Sequence, residues 1–265
     1  MRRAAAITLG IVFAALLCAG WIAPYDPRQQ LRDETDASPS RHHPLGTDTL
    51  GRDRFSRLLQ GGRISMLAAP AAALLAVALA LAAGLVFGCL GGWCERGFAC
   101  LTDLCLSLPW LFLLLAVRAL LPLNVSPAAS IAVTFSLLGL LGWAGPSRIL
   151  LAAVKGHLAS DFALGARCAG CPLWRVALVH VLPNLLPVAL AQFLVTAPAF
   201  LLSEANLALL GLGVAEPTPS WGNLLRELED FSRVARQPWV AAPLVALALV
   251  VSCFHLAVAG EEAGS

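Results

Sequence analysis

The sequence predicts an all-α polytopic membrane protein with six transmembrane helices. Three observations predict it. Of 265 residues, 58% are hydrophobic and only 13% are charged, against about 25% charged in a soluble domain. Mean hydropathy is +0.78, more apolar surface than one soluble core of this size can hide. The apolar residues, mainly Leu and Ala, run in long uninterrupted stretches, not in the alternating strands of a transmembrane barrel. The net charge of +2 shows no strong field, so nothing suggests a nucleic-acid partner.

Crossing a core of about 30 Å takes ~20 helical residues at 1.5 Å each. Six segments qualify, at about Ala4–Ala23, Ile64–Leu90, Ala99–Leu121, Ala128–Ala144, Val176–Leu202 and Trp239–Ala259. The first follows Arg2 and Arg3 and could be misread as a cleaved signal peptide. Its apolar run is long for that, and Leu17 precedes Cys18 where a lipoprotein signal wants a small residue, so a retained signal-anchor over 1–23 is expected. No internal repeat is visible.

Arg2 and Arg3 favour a cytoplasmic N-terminus. The short loop 122–127 has no Lys or Arg, whereas the loop at about 145–175 has Arg148, Lys155, Arg167 and Arg175. That contrast places 145–175 in the cytoplasm, and an even span count then puts both termini there. Segment 24–63 would lie outside despite seven Arg, which six acids accompany. Segment 203–238 is the second long external stretch. Within it Leu224, Leu225, Leu228 and Phe231 recur at helical spacing and predict a short amphipathic helix on the membrane surface or against the bundle.

Catalytic signatures are missing. The single lysine, Lys155, precedes Gly156, so there is no Walker A loop to cradle phosphates. HExxH and GxSxG are absent, and the five histidines form no nucleophile–base pattern. An enzyme is not expected. Eight cysteines include Cys168 and Cys171 as a CxxC pair. Without a second pair at zinc-finger spacing they read as small apolar residues in a reducing compartment, and no metal site is expected. Gly84 and Gly88 form GxxxG, continued by Gly92, a stripe that lets helices approach closely. Asp103 and Glu204 fall near span ends, where snorkelling or capping accounts for them; snorkelling is also the expectation for Arg118.

Three stretches carry a family resemblance: HPLGTDTLGRDRFSRLLQGGRISM (43–66), DFALGARCAGCPLWRVALVHVLPN (161–184) and SEANLALLGLGVAEPTPSWGNLL (203–225). In order and spacing they closely resemble the inner-membrane permease of the dipeptide/oligopeptide/nickel family of ATP-binding-cassette importers. They look most like the second of its two permease subunits. The resemblance covers about residues 20–255. It implies the type I importer fold, with 64–259 as the permease core, 24–63 extracytoplasmic and 260–265 a short cytoplasmic tail.

The second stretch resembles the family's EAA loop, which runs E-A-A, three residues, Gly, nine residues, then I-x-L-P. Here Gly170 takes the glycine position, Cys171 to Val179 are the nine residues, and Pro183 closes the pattern. Leu164 and Gly165 replace the Glu and first Ala, with Ala166 third. The resemblance implies a short coupling helix docked in a groove of a separate ATPase. Its expected residues are Asp161, Ala163, Gly165, Ala166, Arg167, Gly170, Pro172, Arg175 and Pro183. Asp161 suits a helix N-cap, and the small residues make a thin helix. Gly170 and Pro172 end it, and Arg167 and Arg175 can meet acids across the interface. The missing Glu removes one charge contact.

The first and third stretches would form an outer surface that receives a solute-binding protein and helps build the outer gate. Its expected residues are Gly46, Asp48, Gly51, Arg52, Asp53, Arg63, Glu204, Gly211, Gly213, Pro219, Trp221 and Gly222. Gly46 and Gly51 serve tight turns, and Asp48, Arg52 and Asp53 serve local ion pairs. Gly211 and Gly213 permit close backbone approach, while Pro217, Pro219 and Trp221 stiffen the loop. The tail GEEAGS departs from the charged tail common in the family and keeps only Glu261 and Glu262.

The resulting expectation is a permease subunit that moves peptides across the bacterial inner membrane. Its partners would be a homologous permease, two cytoplasmic ATPase subunits, an extracytoplasmic solute-binding protein and membrane lipid. No cofactor is expected in this chain; ATP and Mg would bind the partner ATPase. The same machinery for nickel or another small solute is an alternative. An ion-gradient-driven secondary transporter would want paired mid-span carboxylates and inverted repeats, which the spans do not offer.

Overall fold

A computed structural model describes residues 2–121 and 125–262. Much of the loop 122–127 and the end of the tail 260–265 lie outside the described residues. Every regular element among the described residues is helical, and one isolated bridge joins Thr47 to Asp53.

The chain opens with α1 (Arg2–Leu17) and the short α2 (Ala19–Ile22). A strap of turns over 23–53 leads to α3 (Arg54–Leu90). This helix starts ten residues before the expected Ile64, because the Asp53 side chain caps it by accepting from the Ser56 N–H at 2.7 Å. At 37 residues it is roughly 55 Å long and outreaches the hydrocarbon layer. Gly91 and Gly92 take φ of +61° and +59° and turn the chain into α4 (Gly92–Ser107).

The expected third span is not one straight helix. α4 and α5 (Trp110–Leu120) meet at an angle of 86°. Pro109 has no N–H to continue the ladder, and Leu108 before it is extended, at φ −79° and ψ 131°. The fourth segment, by contrast, runs on. α6 (Pro127–Leu141) begins at the Ser126 cap with Pro127 in its first turn, and α7 (Ala144–Leu158) follows on it. Together they form one 32-residue span, Pro127–Leu158. The expected loop from 145 is therefore helical to Leu158. Its charges sit on the outward face: Arg148 meets Asp103 at 3.0 Å and Lys155 meets Glu95 at 2.5 Å. Leu150, Leu151 and Val154 fill the inward face.

Next come α8 (Asp161–Cys168), the one-turn α9 (Leu173–Arg175) and a π-helical turn over Val176–Val181. α10 (Leu182–Leu209) continues them, so the helical run from Leu173 to Leu209 is unbroken and exceeds the expected 176–202 at both ends. The wide turn lies just ahead of Pro183, which cannot donate to the carbonyl of Val179. Beyond Gly211, α11 (Trp221–Leu225) is followed by a 3-10 turn over Arg226–Glu229 and α12 (Phe231–Arg236). The single amphipathic helix expected there is broken at Asp230. Leu224 and Leu225 join the core, while Phe231 is 86% exposed. Asp230 caps α12; the Ser232 hydroxyl, then the Arg233 amide, hold its carboxyl below the usual range. A last 3-10 turn, Pro238–Ala241, leads into α13 (Ala242–Glu262).

Among the described residues, four helices are long and apolar enough to cross a membrane, and the bent pair counted as one span makes a fifth. The first apolar helix, Ala4–Leu17, is shorter and packs against α13 and α3. All six expected apolar segments are helical, but four to five, not six, qualify by length. α3 is the central element, packed by α6, α7 and α10. Its buried stripe is Ala69, Ala72, Ala73, Ala76 and Ala80, whose small side chains bring backbones together. A Cβ at Gly84 would sit 3.2 Å from the Leu151 nitrogen, and one at Gly88 2.6 Å from Val154 Cγ1, so the GxxxG stripe seats α7. Gly92 is not part of it and faces open space. Arg118 does not snorkel: it is 1% exposed.

Candidate functional site

Two polar regions lie at opposite ends of the Leu173–Leu209 helical run. The first is built on α8. Ser160 holds the N-cap position, but its hydroxyl donates to the His157 carbonyl at 2.5 Å. Asp161 does not cap the helix; it lies in the first turn, where a carboxylate favours the helix dipole. The helix closes in a Schellman arrangement. The Cys171 N–H donates to the Ala166 carbonyl at 3.0 Å and the Gly170 N–H to the Arg167 carbonyl at 2.9 Å. Gly170 takes φ +84°, which is the physical reason for glycine there.

Only one face of α8 is bound to the protein. Ala163 is fully buried against Val154, Val176, Val181 and Leu185, with Ala166 and Cys171 beside it. The other face is open. Gly165 meets nothing within 4 Å, and Asp161, Arg167, Pro172, Arg175 and Pro183 are exposed. Arg167 and Arg175 form no ion pair among the described residues. Phe162, Leu164 and Trp174 are exposed apolar groups on the same segment, so the Leu at the motif's Glu position adds apolar surface where a charge would stand. Cys168 is exposed and Cys171 half-buried, both as free thiols.

The second region knots the strap to the loop after α10. Gly46 (φ +68°) and Gly51 (φ +71°) turn the strap; a Cβ at either would strike a carbonyl oxygen, of Ala37 or Leu31 respectively. Asp48 is buried and accepts from the Leu50 and Arg52 amides at 2.9 and 2.8 Å and from Arg52 Nε at 2.6 Å. Burial opposes the Arg52 charge, but Asp48 and Glu216 outweigh it and raise its pKa. Asp53 does not join this pair as expected. It caps α3 and meets His43 Nδ1 at 2.9 Å, while His43 Nε2 meets Glu34 at 2.7 Å and the ring stacks on Tyr25. Arg63 is exposed, beside Gly20, and outside the knot.

Four further arginine contacts tie the strap and α3 to the far loop. Arg52 Nη1 and Arg57 Nη2 each donate to Glu216 at 2.9 Å, and Arg54 donates to Glu227 at 2.9 Å and Gln237 at 2.8 Å. Glu204 is not a solvated span-end group. It is 1% exposed and accepts from the Ser220 hydroxyl at 2.7 Å. Gly222 lies against its carboxylate; a Cβ there would come within 2.8 Å. Trp221 is buried, with its amide on Ser65 Oγ and its indole on the Leu58 carbonyl. Gly213 packs on Ala208 as the close-approach reading requires. Gly211 instead closes α10 at φ +77°, with open space around it. Pro219 is buried in the turn.

The structure thus gathers Gly46, Asp48, Gly51, Arg52 and Asp53 in one knot, and Glu204, Gly213, Pro219, Trp221 and Gly222 in its lock on α10. Sequence reasoning missed Glu216, Arg54, Arg57, Glu227, His43, Glu34 and Ser220. Glu216 and Arg52 are 164 positions apart, and no local spacing announces such a pair. The Gly61–Gly62 doublet was the available signal for close packing: a Cβ at Gly61 would lie 3.1 Å from the Ser220 backbone.

Residues 77–259 match the family described as binding-protein-dependent transport system inner membrane component. The chain is also similar to the di/tripeptide transport system permease protein DppC of Pseudomonas aeruginosa (strain UCBPP-PA14). The two are 35% identical over 262 residues, 95% of this chain and 82% of that protein. It is 31% identical over 258 residues to the glutathione transport system permease protein GsiD of Shigella flexneri serotype 5b, covering 97% and 82% of the two chains. With the oligopeptide transport system permease protein OppC of Haemophilus influenzae it shares 28% over 255 residues, 95% of this chain and 79% of that one. A polytopic helical bundle, a one-sided capped helix at one end and this match over most of its length together place the chain in the family of binding-protein-dependent transport system inner membrane components.

Proposed function

We infer that this chain is a peptide permease subunit of an ATP-binding-cassette importer, working in the bacterial inner membrane. It would pair with a homologous permease around a shared pathway. Two cytoplasmic ATPase subunits, which carry ATP and Mg, would sit below, and an extracytoplasmic solute-binding protein would deliver the solute. The peptide class is supported by relatives named for di/tripeptide, oligopeptide and glutathione transport. With α8 in the cytoplasm, both termini would also be cytoplasmic and the arginine knot would face outside.

One observation carries the coupling role: α8 is anchored by a single face, and its attachment continues directly into the helical run Leu173–Leu209. A load on the open face of α8 is therefore delivered to a transmembrane rod. That rod's far end is locked to the outer loop through Glu204, Ser220 and Gly222. Closure of the ATPase pair would move α8 and switch the bundle between inward- and outward-open states by differential contacts. The chain would supply contacts, not chemistry.

The test is co-purification and transport. Deleting 161–172 is expected to abolish capture of the ATPase subunits and ATP-dependent peptide uptake in proteoliposomes, with membrane insertion retained. Uptake that persists without the ATPase subunits would overturn the reading.

A further inference from the structure

Glu216 is held differently from the two buried carboxylates of the knot. Asp48 and Asp53 are buried, and backbone amides hold both. Glu216 is held by two side chains: Arg52 Nη1 reaches Oε2 and Arg57 Nη2 reaches Oε1, each at 2.9 Å. Its side chain remains 48% exposed, whereas that of Arg57 is 2% exposed. Arg57 Nε and Nη1 are buried without a hydrogen-bond partner among the described residues. Arg52 already has Asp48, so Glu216 is the ion-pair partner on which Arg57 depends.

These side chains wall a polar pocket of about 260 Å³, whose other charged walls are Asp48, Arg226, Glu227 and Glu229. Glu227 is engaged by Arg54. A guanidinium does not shed its proton, and a buried one that loses its carboxylate is left at high cost. If Glu216 leaves, the demand at Arg57 and the outer edge of Arg52 is for another planar carboxylate, the group that guanidinium forks fit best.

We propose that Arg52 and Arg57 form a docking site for an acidic side chain of the solute-binding protein, with Glu216 as an internal surrogate that the incoming carboxylate displaces. The site lies at one end of the helical bundle, where the strap, the first turns of α3 and the turn after α10 meet, which favours a docking protein over solute in transit. Glu216 sits on an exposed turn, so an incoming group can reach it from outside. The proposal rests on the importer reading, which supplies the partner.

The assay is the Kd between the assembled importer in lipid nanodiscs and its purified solute-binding protein. Glu216→Ala and the near-isosteric Glu216→Gln are each expected to tighten binding at least threefold, because the competitor is gone. Adding Arg57→Ala to Glu216→Ala removes that gain. A Glu216 that only braces the loop predicts the opposite sign. Unchanged or weaker binding by assembled Glu216 variants overturns the proposal, as does failure of both variants to assemble. Dialanine that protects the Glu216→Ala complex against heat more than wild type, without the binding protein, would assign the carboxylate to the solute and overturn the docking assignment. A wild-type complex that binds no solute-binding protein would instead overturn the importer reading.

Discussion

At the scale of single residues, Gly51 and Gly170 look alike in sequence and differ in consequence. Both hold left-handed backbone, at φ +71° and +84°, and any L side chain there costs roughly 1–2 kcal/mol. At Gly170 nothing lies within 4 Å, so Gly170→Ala is expected to cost about that much and to loosen only the end of α8. At Gly51 the new Cβ also meets the Leu31 carbonyl, so the strap itself must shift. Thermal unfolding in detergent should show a larger fall in midpoint for Gly51→Ala than for Gly170→Ala; equal falls would refute the steric account. The turn role of both glycines was legible in sequence. The partners of Arg52 were only half legible: Asp48 lies four positions away and was expected, whereas Glu216 comes from the loop that follows eight helices, α3 to α10.

Among elements, the α3–α7 contact is the clearest case of sequence pattern becoming packing. Gly84 and Gly88 remove side chains where Leu151 and Val154 approach, and the seam without Cβ atoms lets the helices close by dispersion contacts. Gly88→Leu places a branched side chain into Val154. Overpacking of this kind costs about 1–3 kcal/mol, so the variant is expected to unfold at lower temperature and to accumulate poorly in membranes. Val154→Ala should restore part of the loss, since it removes the colliding methyls; no rescue would mean the collision lies elsewhere. The break between α4 and α5 is the converse case. Pro109 was visible in the sequence, yet the run around it is apolar enough to read as one span. Only the fold shows that the chain turns there by 86°.

On the scale of the whole molecule, the two polar regions terminate one helical rod, and the importer reading puts them on opposite sides of the membrane. Cys168 on α8 is exposed, and Thr49 lies on the pocket of the arginine knot. In a background that keeps Cys168 alone, an impermeant maleimide is expected to label inverted vesicles and not intact cells. A Thr49→Cys variant with the native cysteines replaced should show the reverse. Labelling of both from one side would overturn the proposed topology and, with it, the proposed cytoplasmic placement of α8.

Composition and apolar run length determined by themselves that this chain is a helical membrane protein, because burying so much Leu and Ala requires lipid. Gly170 and Pro172 likewise marked the end of α8, because a helix stop is a local event written in neighbouring residues. Tertiary structure alone decided the rest. It sank Glu204 under Ser220 and Gly222, turned Phe231 out of the amphipathic stripe and set Glu216 across Arg52 and Arg57. Those outcomes depend on which surfaces meet in the fold, 16 residues apart for Glu204 and Ser220 and 164 for Arg52 and Glu216, and a local pattern holds no record of such a partner.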